Sequence, residues 1–241
     1  MTSLAYPFTV PSGAEQPIYG AVHDAVLDQR LAPGTKLTEA RLAELFNVSR
    51  TIVRMALLRL AHDHIVQLSP NRGASIASPT VAETRQVFEA RRLVESAAMP
   101  LVAERARIKA LDDLRRLVRQ EDSAFHSGDV RTWIRRSGEF HIGLMALADN
   151  AVILHFGREL VTQSLLMTAL YLPKGQTSCA TGEHVALIDA LAGGDGRKAA
   201  RLMHSHLHAC ERRLNLDAQA TPAIDLGDAL GIVVRRDRSA R

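Results

Sequence analysis

Residues 37–65 read LTEARLAELFNVSRTIVRMALLRLAHDHI, and this stretch decides the fold of the N-terminal part of the chain. Thr38 is an N-cap residue, and Leu37 before it can staple onto Leu42. Leu42, Leu45 and Phe46 then share one helical face. Asn47 falls where a tight helix-to-helix turn needs a left-handed residue, a conformation asparagine tolerates better than most. Ser49 caps a second helix, Val48 can staple to Val53, and Val53, Leu57 and Leu60 continue the apolar face. Two short helices joined by about three residues form a helix-turn-helix. The second carries Arg50, Arg54 and Arg59 and no acid up to Leu60, as required of a helix that enters a DNA major groove by its N-terminus. A plain helical hairpin with its arginines in solvent fits the same two helices.

The residues that follow favour the DNA reading. Ile65 to Leu68 and Ala74 to Ala77 are strand-like runs flanking Ser69-Pro70-Asn71-Arg72-Gly73, a turn cluster with an arginine near its tip. A helix-turn-helix followed by a basic-tipped hairpin is a winged helix. This part of the chain resembles the DNA-binding domain of the GntR superfamily of bacterial transcription regulators. The resemblance rests on Leu31-Ala32-Pro33-Gly34-Thr35-Lys36-Leu37, Leu42-Ala43-Glu44, Val48-Ser49-Arg50-Thr51, Val53-Arg54 and Pro70-Asn71-Arg72-Gly73. It implies DNA contacts from Ser49, Arg50, Thr51, Arg54, Asn71, Arg72 and Gly73. Asn47, Ile52 and Met55 stand where the family usually has Gly, Pro and Glu.

The 241 residues suffice for two domains, and 46% hydrophobic content with only 4% aromatic residues calls for aliphatic, helix-rich cores. A formal charge of +4 is too small for a general polyanion binder. Residues 1–78 hold seven Lys/Arg and six Asp/Glu, a net +1, so a DNA footprint must be local, and a homodimer would double it. Cys179 and Cys210 have no CxxC spacing, which argues against a thiolate zinc site or a disulfide framework. The first residues lack the basic and apolar regions of a signal peptide, and no run of eighteen apolar residues occurs. These features point to a cytoplasmic protein without a membrane partner.

Residues 1–15 read as a flexible arm and 16–78 as the winged helix-turn-helix, its first helix running from Pro17 to Arg30. Ser78-Pro79-Thr80 is the linker. Six helices are expected beyond it, at about 80–106, 109–127, 129–149, 151–171, 180–193 and 196–215. Breaks this short make antiparallel neighbours, so residues 79–215 form an all-helical bundle. The fold class is mainly α. No structure is assigned to the tail, 216–241.

Helical phase sorts the histidines. Met203, His206, Leu207, Cys210 and Leu214 form a stripe that turns His206 inward, while His204 and His208 share the wet face. His184 aligns with Leu187, Ile188 and Leu191, and His141 with Ser137, Leu144 and Ala148. Inward histidines from three helices are how bundles build metal sites, though for any single one a satisfied core histidine is the commoner reading.

Residues 80–215 resemble the FCD ligand-binding domain of the FadR-like subgroup, in its six-helix, VanR-like form. The matching pieces are Phe88-Glu89-Ala90-Arg91-Arg92 with Glu95, Glu139-Phe140-His141 with Asn150, Glu183-His184, Ala186 to Leu191, and Met203 to Leu207. The resemblance implies a small carboxylate effector bound near Arg91, Ser137, His141, His184 and His206. It also implies a divalent transition metal, zinc or nickel, on His141, His184 and His206. The family's fourth ligand is an Asp four residues before the first histidine, and Ser137 stands there. Arg91 suits a carboxylate, or else pairs with Glu95 on the helix surface. The resulting expectation is a regulator, not an enzyme, whose affinity for double-stranded operator DNA responds to a small molecule. The competing reading is a helical metal-dependent enzyme using His141, His184 and His206.

Overall fold

The computed structural model of the chain describes residues 13–69, 73–173, 176, 181–216 and 225–232, which fall into two compact units. One holds 13–78 together with 225–232. The other lies within 79–216.

In the first unit, α1 (Gln16–Leu27), α2 (Glu39–Phe46) and α3 (Arg50–His62) surround an aliphatic core of Ile18, Val22, Leu42, Val53, Leu57 and Leu60. The caps act as the sequence suggests. Thr38 accepts from the Arg41 amide at 3.3 Å and Ser49 from the Ile52 amide at 3.4 Å, each meeting a donor that the helix leaves unpaired. Asn47 is left-handed, with φ 51° and ψ 50°. Leu42 is fully buried, but Leu45 and Phe46 are only half-buried. Tyr19 ties α1 to the end of α3, its hydroxyl donating to buried Asp63 at 2.7 Å.

The wing strands are β2 (Val66–Ser69) and β3 (Gly73–Ile76). A third strand, β1 (Lys36–Leu37), is not among the elements expected from sequence, and the antiparallel order is β1-β3-β2. Gly73 makes this possible. Its φ is +83°, and a Cβ there would stand 2.6 Å from the Leu37 carbonyl oxygen. Residues 225–232, part of the stretch given no structure from sequence, form one helical turn, α10 (Leu226–Ala229). Asp225 caps it and approaches Arg41 at 3.8 Å, and Arg30 donates to the Ala229 carbonyl. Ala229 and Leu230 are buried.

The second unit has six helices: α4 (Val81–Arg105), α5 (Ile108–His126), α6 (Val130–Ala146), α7 (Ala151–Tyr171), α8 (Thr181–Ala192) and α9 (Gly196–Arg212). Four of them start at polar caps. Thr80 and Glu83 make a reciprocal capping box for α4, and Asp129, Asn150 and Asp195 cap α6, α7 and α9. Leu111, Leu114 and Val118 of α5 meet Phe140 and Leu144 of α6, Leu187 and Leu191 of α8, and Met203 and Leu207 of α9 in one core. At Gly196 a Cβ would fall 2.6 Å from the Pro100 Cα, so α9 begins against the backbone of α4. Among the described residues no helix is long and apolar enough to cross a membrane.

Candidate functional sites

On α3, the buried face of Val53, Ala56, Leu57 and Leu60 leaves Arg50, Thr51 and Arg54 exposed beside the capping residue Ser49, which is also exposed. Arg54 is not an isolated cation. Its Nε donates to Glu39 at the start of α2 at 2.8 Å, which raises the arginine's pKa and lowers the Glu39 carboxyl. The sequence reading missed Glu39, although an acid at N1 of the preceding helix was visible. Gly73 sits at the foot of the wing. Asn71 and Arg72 lie outside the described residues, as does Cys179.

In the helical unit, His141 of α6, His184 of α8 and His206 of α9 converge, all three nearly fully buried. Their facing ring nitrogens lie within 4.8 Å of one another. The His206 Nε2 stands 3.3 Å from both the His184 Nε2 and the His141 Nε2. Three donors at about 2.0–2.1 Å around a tetrahedral zinc would be about 3.3 Å apart. On the far side of each ring a carboxylate holds Nδ1: Glu95 on His141 at 2.6 Å, Glu121 on His184 at 2.8 Å, and Glu183 on His206 at 2.8 Å.

Glu95 and Glu183 fix the tautomers of His141 and His206. Burial pushes the Glu95 carboxyl up, but Arg91 and His141 outweigh it and hold it at about 2. Glu183 is likewise held at about 2, burial being outweighed by hydrogen bonds from His206 and Arg213. An ionised carboxylate only accepts, so Nδ1 carries the hydrogen and Nε2 presents its lone pair. Burial drives His141 down to about 3 against the pull of Glu95, so its ring is neutral at ordinary pH. Lone pairs turned toward one another in a dry space suit a shared cation, and carboxylate-anchored imidazoles are the usual support of metal-binding histidines.

The sequence did not single out Glu95, Glu121 or Glu183 as part of this arrangement. A signal existed, because Glu121 continues the buried α5 stripe Leu111, Leu114, Val118, and Glu95 continues Phe88 and Arg91 on α4. Arg91 and Glu95 do pair, at 2.6 Å, but in the interior and not on the helix surface. Arg91 Nη1 donates to Ser164 at 2.9 Å, while Nη2 is buried without a hydrogen-bond partner among the described residues. Ser137 is buried one turn before His141. Glu139 pairs with Arg136 at 2.6 Å. His204 and His208 are exposed, as their helical phase requires.

A winged helix joined to a helical bundle with a buried polar centre defines a ligand-responsive DNA-binding protein. The family models agree: residues 14–76 match the bacterial regulatory proteins of the gntR family, and residues 86–209 match the FCD domain. The chain is therefore a member of the GntR family of DNA-binding transcription regulators, with an FCD effector-binding domain. It is 28% identical over 233 residues to an HTH-type transcriptional regulator in an unstable DNA locus of Streptomyces ambofaciens, covering 91% of this chain and 93% of that protein. It is 28% identical to the HTH-type transcriptional repressor RspR of Escherichia coli, over 56% of this chain and 59% of the repressor. Among solved structures, a GntR transcriptional regulator from Rhodococcus sp. RHA1 superposes with a TM-score of 0.69 at 23% identity, covering 85% of this chain and 98% of that one. McbR/YncC of E. coli superposes at 0.62 with 20% identity, covering 80% and 92%. These two likenesses establish the fold.

Proposed function

We propose that the protein is a cytoplasmic, non-enzymatic, homodimeric regulator whose operator affinity responds to a small carboxylate held at a three-histidine metal centre. One observation carries the reading: three buried Nε2 atoms face one another, each imidazole being anchored through Nδ1 by its own carboxylate. His141, His184 and His206 would hold zinc or nickel, both suited to imidazole. The metal would supply an open position for an effector oxygen, because Ser137 offers no carboxylate to close the shell. Arg91 would take the effector's other oxygen through Nη2, its remaining nitrogens being fixed by Glu95 and Ser164.

DNA contacts are assigned to Ser49, Arg50, Thr51 and Arg54 on α3 and to Asn71, Arg72 and Gly73 in the wing. The dimer is assigned to the face of α7 that carries Val152 and Phe156, two exposed apolar side chains one turn apart. An effector then acts by linkage, favouring one arrangement of the paired reading heads.

Elemental analysis and metal titration test the centre. Purified protein should contain a transition metal that a chelator removes. His206→Ala should lose it and His204→Ala should keep it. Ser137→Asp should bind it more tightly, by adding an anionic oxygen on the His141 face. Parent-like metal content in His206→Ala, with no gain in Ser137→Asp, would reduce the triad to core polarity. Calorimetric titration of a panel of small carboxylates into metal-loaded protein, with Arg91→Lys as comparison, tests the effector class.

A further inference from the structure

The solvent side of α3 is not an ordinary polar helix face. Thr51, Arg54, Met55, Leu58 and His62 follow one another at helical spacing, opposite the buried stripe, and all are exposed. Met55 is 50% exposed and Leu58 59% exposed. Among the described residues of the winged unit, the one other exposed large apolar side chain is Leu68 on β2. Two such side chains in succession beside an arginine fixed by Glu39 make a strip with a defined polar edge and a defined apolar one.

We propose that Met55 reads the C5-methyl group of a thymine in each operator half-site, with Leu58 one turn further on closing that contact off from water. The inference rests on α3 being the helix that enters the groove. Residues near the N-terminus of such a helix reach base edges, and Met55 lies in the second turn after the Ser49 cap. The thymine methyl is the apolar group that a base pair presents in the major groove. A methionine side chain is long and adaptable enough to cover it. Selectivity arises in both directions. Methyl and thioether lose apolar surface to water together, whereas a cytosine placed there would have its amino donor desolvated against a side chain that cannot pair with it. Arg54, adjacent on the same face, supplies the hydrogen-bonded half of the readout.

The test uses full-length protein and an operator selected from random DNA. Each thymine is replaced in turn by deoxyuridine, which removes the methyl group and leaves base pairing intact. At one thymine per half-site, the replacement should weaken binding by the parent on the order of threefold to fivefold, as expected for one buried methyl. Met55→Ala should bind the thymine operator more weakly and be indifferent to the replacement. Arg50→Ala should lose affinity while keeping the parent's thymine-to-uracil ratio. Reselection with Met55→Gln should exchange the thymine for adenine, which Gln can pair with through two hydrogen bonds. Because Met55 is exposed, matching melting temperatures should show that these variants fold. A parent indifferent to every thymine, or a Met55→Ala that keeps the parent's ratio, overturns the proposal. Parent affinity in both Arg50→Ala and Arg54→Ala would also overturn it, by removing α3 from the groove altogether.

Discussion

Glu39 accepts from the Nε of Arg54 at 2.8 Å, an exposed contact that engages neither of the two Nη nitrogens. A side chain preset in this way reaches a guanine with less ordering cost than a loose one. Arg54→Ala and Arg50→Ala should each weaken operator binding by about 1–3 kcal/mol while leaving the helical unit folded. Titration of both against the selected operator at fixed salt decides this, and unchanged affinity in both would count against α3 as the reading helix. His141 carries a different consequence. Its ring stays neutral down to about pH 3, whereas an unfolded-chain histidine takes a proton near 6.5. Over that window the unfolded state binds more protons, so the chelator-treated helical unit should lose stability as pH falls from about 6.5 toward 3. Below about 4.5, Glu95 and Glu183, held at about 2, add to the loss in the same direction. Urea midpoints that match at pH 7 and pH 5 would contradict this. Single residues were legible in sequence where helical phase fixes burial, as for His206 against His204. Glu95, Glu121 and Glu183 were not, because phase says which way a side chain points and nothing about which residue of another helix it meets.

Elements were easier to read than contacts. Caps and breaks such as Thr38, Asn47, Ser49, Thr80 and Asn150 act locally, and the helices they delimit lie close to the expected spans. The two-residue β1 escaped notice because it has no periodicity of its own and exists only by pairing Lys36 with Ser75 and Leu37 with Ala74. Gly73 is the hinge of that pairing. Gly73→Ala should cost about 1–3 kcal/mol through positive-φ strain and the clash with the Leu37 carbonyl. Equilibrium denaturation followed by a probe in the winged unit should show an earlier transition there and leave that of the helical unit in place. On α5, Glu121→Gln keeps the size of a buried side chain but weakens its hold on His184. Metal affinity should fall about 10–100-fold, as is typical when an outer-shell partner of a ligand histidine is changed. An unaltered titration curve would show that the carboxylate is mere packing.

At the scale of the whole molecule, the division near Ser78-Pro79-Thr80 could be read from composition, whereas the destination of residues 225–232 could not. Asp225-Leu226-Gly227-Asp228-Ala229-Leu230 is too short to show amphipathic spacing, and its partners Arg30 and Arg41 lie almost two hundred residues earlier. A fragment ending at residue 78 should therefore melt below the same region in the full chain, and an added peptide spanning 219–236 should recover part of the difference. A fragment as stable as the parent region would show that α10 contributes nothing there. The return of α10 also bears on the order of synthesis. The winged unit is begun before the effector unit and completed after it, since residues 225–232 leave the ribosome only after all six helices of the effector unit. A nascent chain would thus carry its histidine centre before it carried a finished DNA-binding surface, and an incompletely translated regulator would reach the operator with its reading head still unclasped.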